Sequence, residues 1–150
     1  MNTKTLLMMA LSCLAANTAS AGTNTWTTGW AMGTTEYAVD DGNGNELVIA
    51  CPSDDDRYVS ASATVNGRGY SSEDGRGFDL IVDGKTFHNP FYTDCRACSS
   101  IFTHEFWGAL RNANRLQFSA QGKVFNLPTE NLKAVLPALN DENSSCLAAW

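Results

Sequence analysis

The residues whose types and spacing best suit chemistry are the two cysteines of TDCRACSS, residues 93 to 100. Two cysteines separated by two residues can form a thiol–disulfide catalyst, half of a zinc site, or a structural crosslink. A redox catalyst would set Cys95 and Cys98 at a helix N-terminus, where backbone N–H groups stabilise a thiolate. A helix is expected after them, but the surrounding sequence reads as hairpins rather than a strand–helix–strand crossover. A four-cysteine zinc site calls for two close pairs, whereas Cys51 and Cys146 stand far apart. Once Cys13 is assigned to a leader, four cysteines remain, and an even number in an oxidising compartment reads as two disulfides. The structural crosslink is the favoured reading. Three connectivities are open: Cys95–Cys98 with Cys51–Cys146, or Cys95 and Cys98 each joined to one of the other two.

Other chemical motifs are incomplete. HEFWG (104–108) holds half of a zinc-protease signature, but Gly108 stands where the second histidine belongs. DGNGN (41–45) alternates Asp41, Asn43 and Asn45 like the start of a calcium loop. Glu46 then replaces the required glycine and Pro52 the bidentate glutamate, so a turn is expected instead. SDDD (53–56) reads as a solvated turn. The chain has no nucleophile elbow and no phosphate-cradling glycine loop opening a helix. The expectation is a protein that is not an enzyme, with no metal and no cofactor. Its recognition segment would be NGRGYSSEDGRG (66–77), a long polar loop or a hairpin tip with short flanking strands, which presents Arg68, Tyr70, Glu73, Asp74 and Arg76 on a glycine-rich frame. Tyr and Arg are side chains that anchor protein interfaces.

The elements that must position these residues are mostly strands. TEYAVDDGNGNELVIAC (35–51) reads as a hairpin about a Gly/Asn-rich turn. RYVSASATVN (57–66) alternates apolar and polar residues as a half-buried strand does. FDLIVDGKTFHNPFY (78–92) is a hairpin about Asp83-Gly84, with Pro90 keeping its strand near an edge. RLQFSAQGKVFNL (115–127) is another, about Gln121-Gly122. Two short helices are expected late in the chain. One spans SIFTHEFWGALRNANR (100–115), with Phe102, Phe106, Ala109, Leu110 and Ala113 on its apolar face. The other spans PTENLKAVLPAL (128–139), with Thr129 as N-cap and Pro137 limiting its length. Phe106 and Trp107 are expected in the core, while Trp26 and Trp30 could pack on a sheet face or stay half exposed. The fold class is mainly β: an antiparallel β-sandwich or curled sheet with two short helices in the C-terminal half.

The N-terminus reads as a secretory signal peptide over residues 1–21. Lys4 precedes an apolar stretch (5–16), and ASA (19–21) supplies the small residues of a cleavage site. A lipid anchor on Cys13 fits worse, because Ala10 stands where a leucine is usual. One periplasmic domain, 22–150, would follow. Losing Lys4 takes the net charge from −6 to −7. That balance disfavours nucleic acid and anionic membrane, and favours a basic protein as partner. Homodimerisation is compatible with it.

Segment 80–139 resembles the second half of the invasion-associated locus B family. The resemblance lies in VDGKTFHNPFYTDCRACSSIF followed by FWGALRNANRLQFSAQGKVFNLPTENLKAVL. It runs from an Asp-Gly turn to a phenylalanine before a close cysteine pair, a helix ending in Leu-Arg, and a Leu-Pro step into a last helix. It implies a secreted, β-rich protein with no catalytic centre. The whole chain after residue 21 also resembles periplasmic immunity proteins of type VI secretion systems that neutralise peptidoglycan-cleaving effectors. The size, leader, early tryptophans, LVIAC, LIVDG and the cysteine-pair segment carry that likeness. It implies a stoichiometric inhibitor of a muramidase-type hydrolase, here read as a basic secreted protein met by the 66–77 segment. A thiol oxidoreductase stands as the third reading.

Overall fold

The computed structural model describes residues 23–74 and 76–150. The leader read from residues 1–21, with Cys13, lies outside them. The fold is mainly β, as two antiparallel sheets that do not close on each other. The first has five strands in sequential order: β1 (Thr27–Ala31), β2 (Thr34–Asp40), β3 (Glu46–Pro52), β4 (Ser60–Val65) and β5 (Arg68–Ser71). The second joins β6 (Asp79–Val82), β7 (Lys85–His88), β8 (Leu116–Ala120) and β9 (Lys123–Leu127) in the order β7-β6-β8-β9.

The turns follow from residue type. Asn66-Gly67, Asp83-Gly84 and Gln121-Gly122 each place two consecutive residues at positive φ, the conformation that matches the twist of a two-residue hairpin. The 41–45 loop is a turn. The Asp41 carboxylate accepts from the N–H groups of Asn43 (2.8 Å) and Asn45 (3.1 Å) and from the Asn45 side chain (2.6 Å). Its lone pairs are therefore engaged by the protein.

The helical segment begins earlier than the periodicity predicts. Cys95 is its N-cap, and it runs through α1 (Arg96–Ile101), a π-helical turn (Phe102–Phe106) and α2 (Trp107–Arg111). The wider π turn lets both Phe106 and Trp107 face inward beside Phe102 and Leu110. The last helix, α3 (Leu132–Val135), is a single turn. Thr129 does not cap it: Asn131 holds that position in left-handed backbone, and the chain is already extended at Leu136, just before Pro137.

One core cluster joins the sheets and the helix. Tyr37, Val39, Leu47, Ile49, Ala61, Ala63 and Val65 come from the first sheet, and Leu80, Val82, Phe87, Leu116 and Phe118 from the second. The register pairs Leu80 with both Phe87 and Phe118, so all three share a face. Phe106 meets Phe87 and Phe91 edge-on, each at 5.1 Å between centroids. Trp26 is fully buried. Its indole N–H donates to the Pro128 carbonyl (2.9 Å), and its own carbonyl accepts from the Asn131 side chain (3.1 Å). Trp30, on the outermost strand, is 70% exposed.

The disulfides are Cys51–Cys146 and Cys95–Cys98. The first ties the end of β3 to the C-terminal segment. That segment is also held by Val59 N–H to the Leu147 carbonyl (2.8 Å), Ala149 N–H to Thr93 Oγ1 (3.1 Å) and Trp150 N–H to Ser99 Oγ (3.1 Å). Among the described residues no helix is long and apolar enough to cross a membrane.

Candidate functional site

Only part of the glycine-rich segment 66–77 is a loop. Asn66 and Gly67 form the β4–β5 turn, so Arg68 and Tyr70 are strand residues. The connection from β5 to β6 is a ridge pinned at both ends. Ser72 is buried at its start, where its hydroxyl accepts the Ala61 N–H (2.9 Å) and its own N–H donates to the Ala61 carbonyl (2.9 Å). The Asn89 side chain donates to the Ser72 carbonyl (3.0 Å). At the far end Gly77 has φ +50°, and a Cβ there would collide with the Asn89 side chain. The ridge is thus held to the second sheet by Asn89.

The candidate recognition residues divide between the linings of two hollows. Arg68, Tyr70, Asp74 and Arg76 line a groove of about 630 Å³ between β5 and the β8–β9 turn. Arg68 is held there, donating to Gln121 Oε1 at 2.6 Å. Tyr70 is half-buried, its ring 5.4 Å from Phe118 in an edge-on contact, so it builds the groove wall. Glu73 lines the other hollow.

That second hollow, about 640 Å³, is the one with a pronounced chemical character. Asp56, Glu73 and Asp94 line it, all exposed, together with Tyr58 and Tyr92, each 44% exposed. The cation in its lining, Arg57, is engaged by Asp54 (Nε to Oδ2, 2.6 Å). That hydrogen bond holds the Asp54 carboxyl below its ordinary range and raises the Arg57 guanidinium. Three carboxylates and two open phenol rings therefore surround a space in which the positive charge is already partnered. Carboxylates attract a cation at long range, and an aromatic face holds it at short range. Of the residues lining this hollow, the sequence singles out Glu73 and not Asp56, Tyr58, Tyr92 or Asp94. They come from 56–58 and 92–94, segments brought together by the sheet packing and the C-terminal segment, and no local pattern marks them as neighbours.

The remaining chemical candidates stay apart. His88 Nδ1 lies 3.0 Å from Asp79 Oδ2 on the β6–β7 pair, while His104 contacts the Ser100 carbonyl (3.0 Å) on the helix. Lys85 reaches Glu105 (2.6 Å), which keeps that carboxyl below its ordinary range. Among the described residues no group of three or more His, Cys, Asp or Glu is arranged to hold a metal ion.

A family model described as YfjT covers residues 24–136, both sheets and the helical segment included. No curated protein and no solved structure matches the chain.

Proposed function

The chain belongs to the YfjT family, and from that premise we propose that it is an envelope protein that acts by binding another protein. The family match is consistent with the likeness to invasion-associated locus B proteins. The two disulfides fit an oxidising compartment such as the periplasm. The observation that carries the reading is the acidic, aromatic hollow beside the ridge, lined by Asp56, Tyr58, Glu73, Tyr92 and Asp94. Its chemistry suits an arginine or lysine side chain presented by a basic partner, and the net charge of −6 would steer such a partner toward it. A cell-wall hydrolase of the muramidase type is the partner we assign. Such enzymes work on an anionic polymer, and seating the ridge in the cleft would neutralise one in the manner of an immunity protein.

The test is capture of secreted and periplasmic proteins on the purified, oxidised chain, with muramidase activity followed as the chain is added. The expected result is retention of a basic hydrolase, stoichiometric loss of its activity, and weaker retention at high salt. Glu73→Lys combined with Asp94→Lys should weaken retention at least ~tenfold by placing like charges against the partner. Retention unchanged by that double variant would remove the hollow from the interface. If no hydrolase is retained where a known inhibitor retains its own, the envelope reading stands without the hydrolase.

A further inference from the structure

The structure divides the two disulfides by role, and we propose that Cys95–Cys98 is a thiol–disulfide exchange site. This inference is independent of the binding reading. Cys51–Cys146 joins residues 95 positions apart, whereas Cys95–Cys98 joins residues 3 apart within the first turn of α1. A ring that short brings no distant elements together and restricts the unfolded chain much less. The turn is fixed by other means. Ser99 is buried, and its hydroxyl donates to the Thr93 carbonyl (2.7 Å) and accepts the Trp150 N–H (3.1 Å). Phe102 and Phe106 then anchor the following turns in the core. The fold is therefore positioned to survive opening of this bond.

Its surroundings suit exchange. Cys95 and Cys98 are half-buried, and Arg96 and Ala97 between them are exposed, so an incoming thiolate has access. Cys95 Sγ accepts the Cys98 backbone N–H at 3.0 Å, a contact that stabilises negative charge on that sulfur. Arg96 adds a neighbouring cation and Asp94 a neighbouring anion, while the Trp150 ring lies 6.0 Å from the Arg96 guanidinium. The pairing of Cys51 with Cys146 also leaves neither free to recruit Cys95 or Cys98 into a longer crosslink.

The co-reactant is a protein or peptide dithiol. One of its thiolates attacks Cys95 Sγ, forming a mixed disulfide as the Cys95–Cys98 bond breaks, and Cys98 leaves as a thiolate that takes up a proton. The second substrate thiolate attacks the substrate sulfur of the mixed disulfide and expels Cys95 as a thiolate, which the Cys98 N–H receives. Two electrons pass from the substrate dithiol to the cysteine pair. Of the two protons lost by the substrate, one rests on Cys98 and one enters solvent.

The experiment equilibrates the oxidised protein in glutathione buffers of graded ratio, quenches with acid, alkylates free thiols, and reads each cysteine by mass spectrometry. Cys95–Cys98 should open at a ratio of reduced to oxidised glutathione at least ~tenfold lower than opens Cys51–Cys146. In the reduced protein Cys95 should alkylate faster than Cys98. Cys98→Ser should accumulate a mixed disulfide at Cys95 with glutathione disulfide, the Cys95 thiolate displacing one glutathione thiolate. The Cys95→Ser, Cys98→Ser double variant should keep its circular dichroism and a cooperative thermal transition. Opening of both bonds together, or unfolding of the double variant, would make the pair structural and overturn the proposal.

Discussion

Tyr70 packs its ring on Phe118, whereas Tyr92 leaves 44% of its surface open in the acidic hollow. The same side chain therefore packs in one place and stands open in the other, and substitution should separate the two. Tyr70→Ala is expected to lower stability by about 2 kcal/mol, measured by urea unfolding, through lost ring contacts. Tyr92→Ala should leave the urea midpoint nearly unchanged and, on the proposed function, weaken retention of the proposed basic partner. At Asp41 a pH effect is expected. Burial works to raise its carboxyl, but the hydrogen bonds from the Asn45 side chain and the N–H groups of Asn43 and Asn45 outweigh it and lower the pKa. A lowered folded-state pKa contributes stability above the unfolded value, about 3.9, and loses it as pH falls through the folded value. Asp41→Ala should therefore destabilise at pH 7, and its gap from the parent in thermal midpoint should close below about pH 4. That Asp41 makes a turn was legible in sequence, because Glu46 and Pro52 break the calcium pattern. The hollow was not, since its carboxylates come from separate segments.

The ridge between β5 and β6 depends on Ser72, whose hydroxyl satisfies the Ala61 N–H. Ser72→Ala should cost about 1–3 kcal/mol by leaving a buried donor unpaired, and a denaturant melt measures it. If the cost is under half a kcal/mol, the ridge is held by Asn89 and the Ser72 backbone alone. Hairpins were the most legible elements, since Asp83-Gly84 and Gln121-Gly122 name their own turns. Asn66-Gly67 carries the same signal, but four glycines within 66–77 left a long polar loop and a hairpin tip with short flanking strands both open, and the structure takes the second, with Arg68 and Tyr70 in β5. The helix boundaries were less legible. Cys95 caps through sulfur, outside the usual Ser, Thr, Asp and Asn set, and the π turn departs from the 3.6-residue period.

For the whole molecule, Cys51–Cys146 is the long-range crosslink. Its loop is long enough that closing it contributes about 4 kcal/mol by restricting the unfolded chain. Cys51→Ala with Cys146→Ala should lower Tm by on the order of 10 °C, read by circular dichroism. An unchanged Tm would mean that the hydrogen bonds of residues 145–150 hold that segment unaided. The mainly β class, a sandwich or a curled sheet, followed from counting hairpins, whereas the sheet order β7-β6-β8-β9 did not. It requires β8 to return to β6 after the whole helical segment, and nothing local in Leu116–Ala120 names that partner. The same return has a kinetic side. Residues 145–150 reach back to Cys51, Val59, Thr93 and Ser99, sites contributed by much earlier parts of the chain. A growing polypeptide cannot seal these contacts until those six residues have been made and delivered. The architecture in that sense carries a latch, one that can close only after the strands and helix it grips have been made.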